Sequence, residues 1–302
     1  GLGDVYKRQD IVRRLPEEIV FIETDERMVT YIACGKVNYQ IVGMSSVEYP
    51  DLPSFEQTDR ITLNAKILRD MIRQTVYAVS ENTAKPIYTG SLYEIEDGVF
   101  KIIAIDGYRM AIRSENVDSE SKNRFVVPGK TQHEVLKLLT DDEENTEIII
   151  GQRHITFKIK NYRIISRLIE GTFIEYKSAI PKETKTEVVI NTRTIIDAVE
   201  RMSLLNNDRI QSPVRCIFSD DEIKLSCTSA VGRANDVISV PIIGESVEIG
   251  FNNRYLLDAL KNADTDEIKL ILNGSLTAMI VKPVKGDSYL SIVVPMRLAN
   301  EN

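Results

Sequence analysis

One amphipathic helical pattern occurs twice along the chain. From residue 64 to residue 79, apolar side chains recur every three or four positions and predict the buried face of a helix. Lys66, Arg69 and Arg73 share the opposite face of that helix. The same opening, an asparagine followed by a basic residue, an apolar pair and an aspartate, returns at 191–199, which is 127 residues later. Because that distance is the size of a domain, the pattern predicts a chain built from copies of one domain.

Pairs of short β-branched runs accompany the helices, and a polar turn separates the two runs of each pair. Such a pair is typical of a β-hairpin. Further amphipathic segments begin after Pro128 and after Asn252, so each full copy is predicted to run helix, strands, helix, strands. The predicted hairpins are 19–22 with 28–32, 147–151 with 154–159, and 267–272 with 276–281.

The repeat predicts two whole domains preceded by part of a third. Only closing strands are recognisable in the first copy, and the segment from Asp10 to Pro16 is typical of a helix end stopped by a proline. The opening residues have no initiator methionine and match no periodicity, so they are interpreted as a non-native scar. The predicted divisions are 1–9 for the scar, 10–56 for the C-terminal part of domain 1, 57–181 for domain 2 and 182–302 for domain 3.

The composition is that of an ordinary globular protein, with 43% apolar and 27% charged residues among 302. No apolar run approaches the about 18 residues that a membrane helix needs, so no membrane partner is expected. Cys34, Cys216 and Cys227 lack CxxC spacing and suit a reducing compartment as small buried side chains. The sequence therefore predicts a cytoplasmic protein.

The charge pattern leaves two interpretations of the helices open. A net charge of −7 argues against a protein that coats nucleic acid by bulk attraction. Basic residues nevertheless recur on the exposed helix faces, and an acid follows the first base by four positions in each helix. Either the faces are solvated and carry intrahelical ion pairs, or related domains align them into a basic lining that meets phosphates without reading bases. The acids are Asp70, Glu134, Asp197 and Asp258, and the further bases are Lys130, His133, Lys137, Arg193, Arg254 and Lys261.

Motifs of catalysis or cofactor binding are absent from the sequence. It contains no GxGxxG, Walker, GxSxG, HExxH or EF-hand pattern, and its two histidines, His133 and His154, are not placed for a triad. No cofactor or metal is therefore predicted. One enzyme hypothesis stays open, a small-molecule site in a cleft near Asp106 and Arg109, although no nucleophile–base pair accompanies them.

Two short segments point instead to binding. In 104–111 a strand ends at an Asp-Gly turn and resumes with Tyr108 and Arg109, which are predicted to be exposed; the alternative is a simple β-turn. In 289–298 a strand meets Pro295 and is followed by apolar residues almost at the chain end. Because chain ends usually fray, apolar residues there indicate docking onto the last domain or one wall of a groove.

Four motifs resemble those of the bacterial sliding clamps, the beta subunits of DNA polymerase III. They are 105–109 (IDGYR), 126–130 (VVPGK), 249–258 (IGFNNRYLLD) and 294–298 (VPMRL), and the similarity runs from Asp10 to Leu298. The resemblance implies an α+β DNA clamp fold, in which repeated domains each carry two helices packed on antiparallel sheets. It also implies a non-enzymatic processivity factor of DNA replication, in which two chains close head to tail into a homodimer ring around double-stranded DNA.

The resemblance further implies a groove between domains 2 and 3 that receives short linear peptides from the polymerase III alpha subunit, the clamp loader, other polymerases and repair proteins. Four positions depart from the residues frequent in the family, which has threonine at Ile105, histidine at Tyr108, proline at Ile174 and arginine at Ser178. The implied groove residues form the peptide surface: Tyr88, Ile105, Gly107, Tyr108, Arg109, Met110, Ile174, Ser178, Ala179, Asn252, Tyr255, Leu276, Ala278, Ile292, Val293, Val294, Pro295, Met296, Arg297 and Leu298.

Further roles are implied by the same resemblance. Arg109 and Arg297 are expected to offer polar contacts at the edge of the groove. Contacts to DNA are expected from helices on the inner face and from the loop 82–86, and the residues are Arg13, Lys66, Arg69, Arg73, Lys85 and Lys130. The ring joint is expected to bring Tyr39 and Ile41 on one side against Leu204 and Leu205 on the other.

Residues 10–56 match only part of a first clamp domain. We therefore expect that this chain does not close a stable ring by itself and that it keeps the groove, which lies in the other two domains. A DNA-retaining dimer in light scattering would contradict that expectation. The alternative hypothesis is an adaptor that binds peptides and never encircles DNA.

Overall fold

The computed structural model describes residues 2–16, 19–43, 45, 59–140, 144–205 and 212–298. For residues 2–6 it describes the backbone and not the side chains. The chain divides into two compact units, residues 1–55 and residues 56–302. The predicted boundary between domains 1 and 2, at residues 56 and 57, lies outside the described residues.

The described part of the first unit contains a helix and a three-stranded antiparallel sheet, with the strands in chain order. Its elements are α1 (Leu2–Arg13), β1 (Phe21–Thr24), β2 (Val29–Cys34) and β3 (Val37–Val42). Helix α1 ends before Pro16, which confirms the predicted stop. The helix covers residues 2–9 as well as 10–13, and the interpretation of residues 1–9 as a non-native scar stays a prediction.

The second unit contains one series of elements twice, which confirms the repeat predicted from the helical pattern. Each copy runs strand, helix, four strands, helix and three strands, and the second copy adds one short strand. The first copy consists of β4 (Asp59–Asn64), α2 (Ala65–Val76), β5 (Gly90–Glu96), β6 (Val99–Ile105), β7 (Arg109–Asn116), β8 (Asn123–Pro128), α3 (Gly129–Leu138), β9 (Asn145–Ile150), β10 (His154–Ile159) and β11 (Tyr162–Arg167). The second copy consists of β12 (Thr186–Asn191), α4 (Thr192–Ser203), β13 (Val214–Ser219), β14 (Glu222–Ser229), β15 (Gly232–Ser239), the added β16 (Ile242–Gly244), β17 (Val247–Phe251), α5 (Asn253–Lys261), β18 (Glu267–Leu272), β19 (Met279–Pro283) and β20 (Tyr289–Val293).

The described strands of the second unit form three sheets, and the largest crosses from one copy into the other. Two four-stranded sheets have the orders β11-β10-β9-β4 and β15-β14-β13-β17. The nine-stranded sheet has the order β16-β12-β18-β19-β20-β7-β6-β5-β8. Strand β20 of the second copy therefore pairs with β7 of the first, from Tyr289 opposite Arg113 to Val293 opposite Arg109. Because this pairing satisfies the backbone groups of both strands, it joins the two copies into one body.

Asparagine caps begin three of the four helices described in the second unit. The side-chain oxygens of Asn64, Asn191 and Asn252 accept backbone N–H groups of the first turn, with N···O distances from 2.9 to 3.4 Å. Such a bond satisfies a donor that has no partner within the helix. Helix α3 instead follows Pro128, whose side chain offers no acceptor.

Each copy has its own apolar core, and a third cluster spans the joint between them. The joint cluster buries Met110 and Ile112 of the first copy against Ile280 and Ile292 of the second. The cysteines are buried and unbridged, as predicted, and burial raises the pKa of the Cys216 thiol to about 12. These thiols therefore act as apolar core side chains.

Two local predictions are wrong. Ile67, expected on the buried face of α2, is 37% exposed because it lies at the border of that face. Strand β19 begins at Met279 rather than at residue 276, which leaves Leu276 83% exposed in the preceding loop.

Candidate functional site

The joint between β20 and β7 continues past the ends of both strands. Val294 donates its backbone N–H to the carbonyl oxygen of Tyr108 at an N···O distance of 2.9 Å. Met296 donates in the same way to the carbonyl oxygen of Gly250, at 2.8 Å. The end of the chain is therefore held by both copies, which confirms docking rather than fraying for these residues.

Gly250 leaves room for this docked segment. A Cβ atom at that position would lie 2.6 Å from Cδ2 of Leu298 and 3.1 Å from the carbonyl oxygen of Met296. Met296 and Leu298 are half-buried there, whereas Arg297 is exposed. A residue without a side chain is what permits so close an approach.

A tight turn between β6 and β7 presents Tyr108, which is 60% exposed. The Oδ1 atom of Asp106 accepts the backbone N–H groups of Tyr108 and Arg109, at 2.8 and 3.0 Å. Gly107 has a φ of 95°, a conformation that glycine adopts without strain. The predicted Asp-Gly turn is confirmed, and its aspartate stabilises it through the backbone.

Arg109 is buried, so the expectation of an exposed arginine is wrong. Its side chain is 6% exposed, Nε donates to Oδ2 of Asp106 at 2.9 Å, and a second guanidinium nitrogen donates to Asp258 of α5. The guanidinium carbon lies 4.6 Å from the ring centre of Tyr255 and 5.4 Å from that of Tyr77. Two carboxylates and two aromatic rings thus take the place of water around this charge.

The protonation of Arg109 follows from these neighbours. Burial acts to lower the pKa of its guanidinium, but the hydrogen bond to Asp258 and the charge of Asp106 outweigh burial and raise the pKa above its usual value. The side chain therefore stays charged and does not exchange a proton. Asp106 and Arg109 form a structural ion pair and not a nucleophile–base pair.

An aromatic stack crosses the joint beside this ion pair. The rings of Tyr108 and Tyr255 have centroids 5.7 Å apart and planes 18° apart. Tyr255 stands in the first turn of α5, and the Asn252 cap sets where that helix begins. The turn of the first copy and the helix of the second copy therefore share one aromatic surface.

The apolar side of the joint gathers five residues of the peptide surface. The aromatic ring of Tyr88 also meets Phe173 edge-on, with centroids 5.7 Å apart. Sequence reasoning missed Phe173 because the loop that carries it has no periodic pattern. The five are the buried Met110 and Ile292 and the partly buried Tyr88, Ile105 and Ala278.

The segment between the copies carries three further residues of the peptide surface. Ile174, Ser178 and Ala179 are exposed, the latter two within a 3-10 helix, Tyr176–Ala179. The hydroxyl of the buried Tyr176 donates to Oε1 of Glu94 at 2.8 Å, which fixes the segment against β5. Burial, followed by this bond to a carboxylate, raises the pKa of Tyr176 above its usual value.

Polar side chains that sequence reasoning missed also tie the two copies together. The hydroxyl of Tyr77 lies 3.0 Å from that of Tyr289 and 2.8 Å from that of Ser291. Gln74 donates to the carbonyl oxygen of Asn262 at 2.9 Å. Burial raises the pKa of Tyr77 to about 12, so its hydroxyl keeps its proton. The signal in the sequence that could have found these contacts is the pair of polar residues, Gln74 and Tyr77, at the end of the apolar face of α2. Their partners are distant in sequence, so the signal does not identify them.

Two family descriptions match the second unit. Residues 62–175 match the central domain of the DNA polymerase III beta subunit, and residues 177–297 match its C-terminal domain. The beta sliding clamps of Bacillus subtilis and Staphylococcus aureus are 32% and 31% identical to this chain, over 293 and 291 residues. The alignments cover 95% of this chain and 78% and 77% of those relatives. The chain belongs to the beta sliding clamp family.

Solved clamp structures share the fold. The sliding clamp of Bacillus subtilis has a TM-score of 0.94 at 31% identity, covering 97% of this chain and 79% of that one. The putative beta subunit from Eubacterium rectale has a TM-score of 0.92 at 30% identity, with coverages of 97% and 80%. The predicted α+β clamp fold is confirmed. The two matched clamp domains adjoin at residue 176, and the predicted division at 181–182 stays a prediction.

Sliding clamps are non-catalytic processivity factors, so the hypothesis of a small-molecule enzyme is wrong for this chain. Asp106 and Arg109, the two residues on which that hypothesis rested, are paired with each other and buried. Within the described residues, no helix is both long enough and apolar enough to cross a bilayer.

The DNA-binding residues predicted for the clamp differ in exposure and in charge pairing. Arg73 forms ion pairs with Asp264 at 2.5 Å and with Asp70 at 3.5 Å, so it links α2 to the loop that follows α5. Arg13 is the exposed last residue of α1 in the first unit. In the second unit the exposed members are Lys66, Lys85 and Lys130, and the half-buried members are Arg69 and Arg73.

The residues predicted at the clamp's ring joint lie in different units. Tyr39, which is 41% exposed, and the half-buried Ile41 are on β3. Leu204 follows α4 and is 83% exposed, whereas Leu205 packs against the core of the second copy. Their meeting across two chains stays a prediction.

Proposed function

We propose that this chain acts as the processivity factor of a replicative DNA polymerase. In this proposal two clamp chains that each carry a whole first domain surround double-stranded DNA without reading its sequence. The peptide surface then tethers short linear segments of the polymerase, the clamp loader and repair proteins. Family membership supports the role in replication, and the joint between the two copies supports the tethering.

The joint is the observation that carries the peptide-binding proposal. Residues of both copies converge there, and Tyr88, Ile105 and Ala278 are apolar side chains that are only partly buried. Aromatic rings flank them, and the docked end of the chain adds Met296 and Leu298. Apolar anchors of a peptide gain most of their binding energy in such partly desolvated, preformed surfaces.

Peptide binding is tested by fluorescence anisotropy with a labelled peptide of the Gln-Leu-x-Leu-Phe type. We expect saturable binding, because its leucine and phenylalanine side chains would be removed from water at the apolar joint. A scrambled peptide of the same composition is the matched control and is expected to bind weakly. Equal binding of both peptides, or of neither by the folded protein, would contradict the proposal.

Unpaired strand edges support the head-to-tail ring. Strand β15 occupies the position in the second copy that β7 occupies in the first. Strand β7 pairs with β6 of the β5-β6 pair, and β15 pairs in the same way with β14 of the corresponding β13-β14 pair. Since β7 pairs with a closing strand, β20, we propose that β15 pairs with the closing strand β3 of another chain. Both are edge strands among the described sheets, and such edges recruit strands from other chains.

Neutralising the exposed lysines tests the DNA-binding part. We expect alanine at these lysines to lower the slope of log affinity against log salt for a short duplex by about one per lost phosphate contact. Arg73 is left in place because its replacement would also break an ion pair across the joint. The replaced lysines are Lys66, Lys85 and Lys130.

A matched triple variant controls for net charge. It removes three exposed lysines outside the predicted set and is expected to leave the salt slope nearly unchanged. Peptide binding is expected to be unaffected in both triple variants. Equal slopes for the two variants would contradict a basic lining. The control lysines are Lys122, Lys224 and Lys285.

One observation favours the adaptor that binds peptides without encircling DNA. Several bases on or beside the helices are already neutralised by acids, which weakens the attraction of such faces for phosphate. Unchanged duplex binding in the lysine variants, together with intact peptide binding, would support the adaptor. The pairs are Arg73 with Asp264, Lys137 with Glu134, Arg193 with Asp197, Arg254 with Glu81 and Lys261 with Glu200.

A further inference from the structure

We infer that Arg109 is a positioning residue, which sets the distance between the two walls of the peptide surface and does not itself contact the bound peptide. The inference rests on the proposed peptide-binding function. One wall is the β6–β7 turn, which carries Tyr108, and the other is the start of α5, which carries Tyr255. The two walls belong to different copies of the repeat.

On the turn side, Asp106 accepts hydrogen bonds from the side chain of Arg109 and from the backbone of the turn. One carboxylate oxygen of Asp106 accepts the N–H groups of Tyr108 and Arg109, and the other accepts Nε of Arg109 at 2.9 Å. Both oxygens are therefore engaged, and the side chain of Asp106 is 9% exposed. The conformation that presents Tyr108 depends on this carboxylate and on its arginine partner.

On the helix side, Arg109 contacts two residues of α5 that lie three positions apart. Asp258 accepts a guanidinium N–H, and the ring centre of Tyr255 lies 4.6 Å from the guanidinium carbon. Residues three apart share one helix face, so a single planar group holds both. The buried guanidinium of Arg109 therefore stabilises the stack of Tyr108 on Tyr255.

A direct contact of Arg109 with a peptide would disrupt this arrangement. The guanidinium would have to leave two carboxylates in a site that is almost closed to water, since its side chain is 6% exposed. Asp106 would then remain buried without its partner, which is strongly unfavourable. The exposed Arg297 is the arginine of the peptide surface that is available for polar contacts with a ligand.

The test compares two acids that bridge the same two copies. Asp258→Asn removes the charge that holds Arg109, and Asp264→Asn removes the charge that holds Arg73 at 2.5 Å. Both variants keep the side-chain shape and lose one ion pair across the joint. Only Asp258 is connected, through Arg109, to the tyrosine stack. Arg109→Met and the double variant with Asp258→Asn complete a double-mutant cycle.

Peptide affinity is measured for each variant by fluorescence anisotropy, with circular dichroism to confirm folding. We expect Asp258→Asn to weaken binding about tenfold and the double variant to bind no more weakly than Arg109→Met, because both changes disrupt one interaction. Asp264→Asn is expected to bind like the wild type. If Arg109→Met does not fold, the comparison of Asp258→Asn with Asp264→Asn decides.

Two binding results would overturn the inference. Weak binding by Arg109→Met with unchanged binding by Asp258→Asn would mean that the arginine contacts the peptide directly. Equal weakening by Asp258→Asn and Asp264→Asn would mean that any lost ion pair loosens the joint.

A readout without peptide separates this inference from the proposed function. In protein labelled with 3-fluorotyrosine, the fluorine resonance of Tyr108 is assigned with Tyr108→Phe. We expect Asp258→Asn to shift that resonance and Asp264→Asn to leave it in place, because only the first loosens the stack. No shift in Asp258→Asn would overturn the positioning role. A shift in a protein that binds no peptide would support the positioning contact and contradict the peptide-binding function.

Discussion

Truncation after Val294 is expected to abolish peptide binding while the rest of the chain stays folded. Strand β20 ends at Val293, so the pairing with β7 is preserved. The truncation removes the backbone bond from Met296 to Gly250 and the half-buried Leu298. Because a continuous stretch of the peptide surface is lost, we expect affinity in the anisotropy assay to fall about 100-fold or more.

A shorter truncation, after Leu298, is the matched control. It removes residues 299–302, which lie outside the described residues, and keeps the docked segment. We expect its peptide affinity to equal or exceed that of the whole chain. Binding that survives truncation after Val294 would mean that the end of the chain is not part of the site.

Replacement of Tyr93 by alanine is expected to produce the largest loss of stability. The side chain is completely buried in the core of the first copy, with ring centroids 5.4 Å from Phe100 and 5.8 Å from Phe125. Its removal leaves a cavity between close-packed rings, so we expect the free energy of unfolding to fall by about 3–5 kcal/mol. Urea denaturation followed by circular dichroism measures this loss.

Tyr93→Phe isolates the contribution of the hydroxyl group. That group donates to Oε1 of Gln132 at 3.4 Å, a long bond, and the ring itself is retained. We expect a loss of about 1 kcal/mol. Equal losses for the alanine and phenylalanine variants would contradict the view that ring packing stabilises this core.

The local structure of the clamp could be predicted because short-range interactions determine it. Asn64, Asn191 and Asn252 begin helices because their side chains bond the N–H groups two or three residues later. The hairpin of β9 and β10 was predicted from β-branched runs around a polar turn. The repeat of these local signals was enough to predict that one series of elements occurs twice.

The candidate site could be predicted in part, and the errors have a common cause. Met110, Ile292 and Ala278 come together as the resemblance implies. Arg109 was expected to be exposed because a charged residue beside a turn usually is. Its partner Asp258 lies 149 residues further along the chain, and local patterns carry no information about that contact. For the same reason, one of the two interpretations left open by the sequence paired Asp258 with Arg254 within the helix.

The sequence by itself determined the amphipathic helices of the repeat, the hairpins, the repeat itself and, through its motifs, the clamp family. Only the tertiary structure decided which charges are buried, where the C-terminal segment docks and how β20 joins β7. The physical reason is the range of the interactions. Periodicity and capping act over a few residues, whereas burial of Arg109 between Asp106 and Asp258 requires two domains to pack before the charge loses its water.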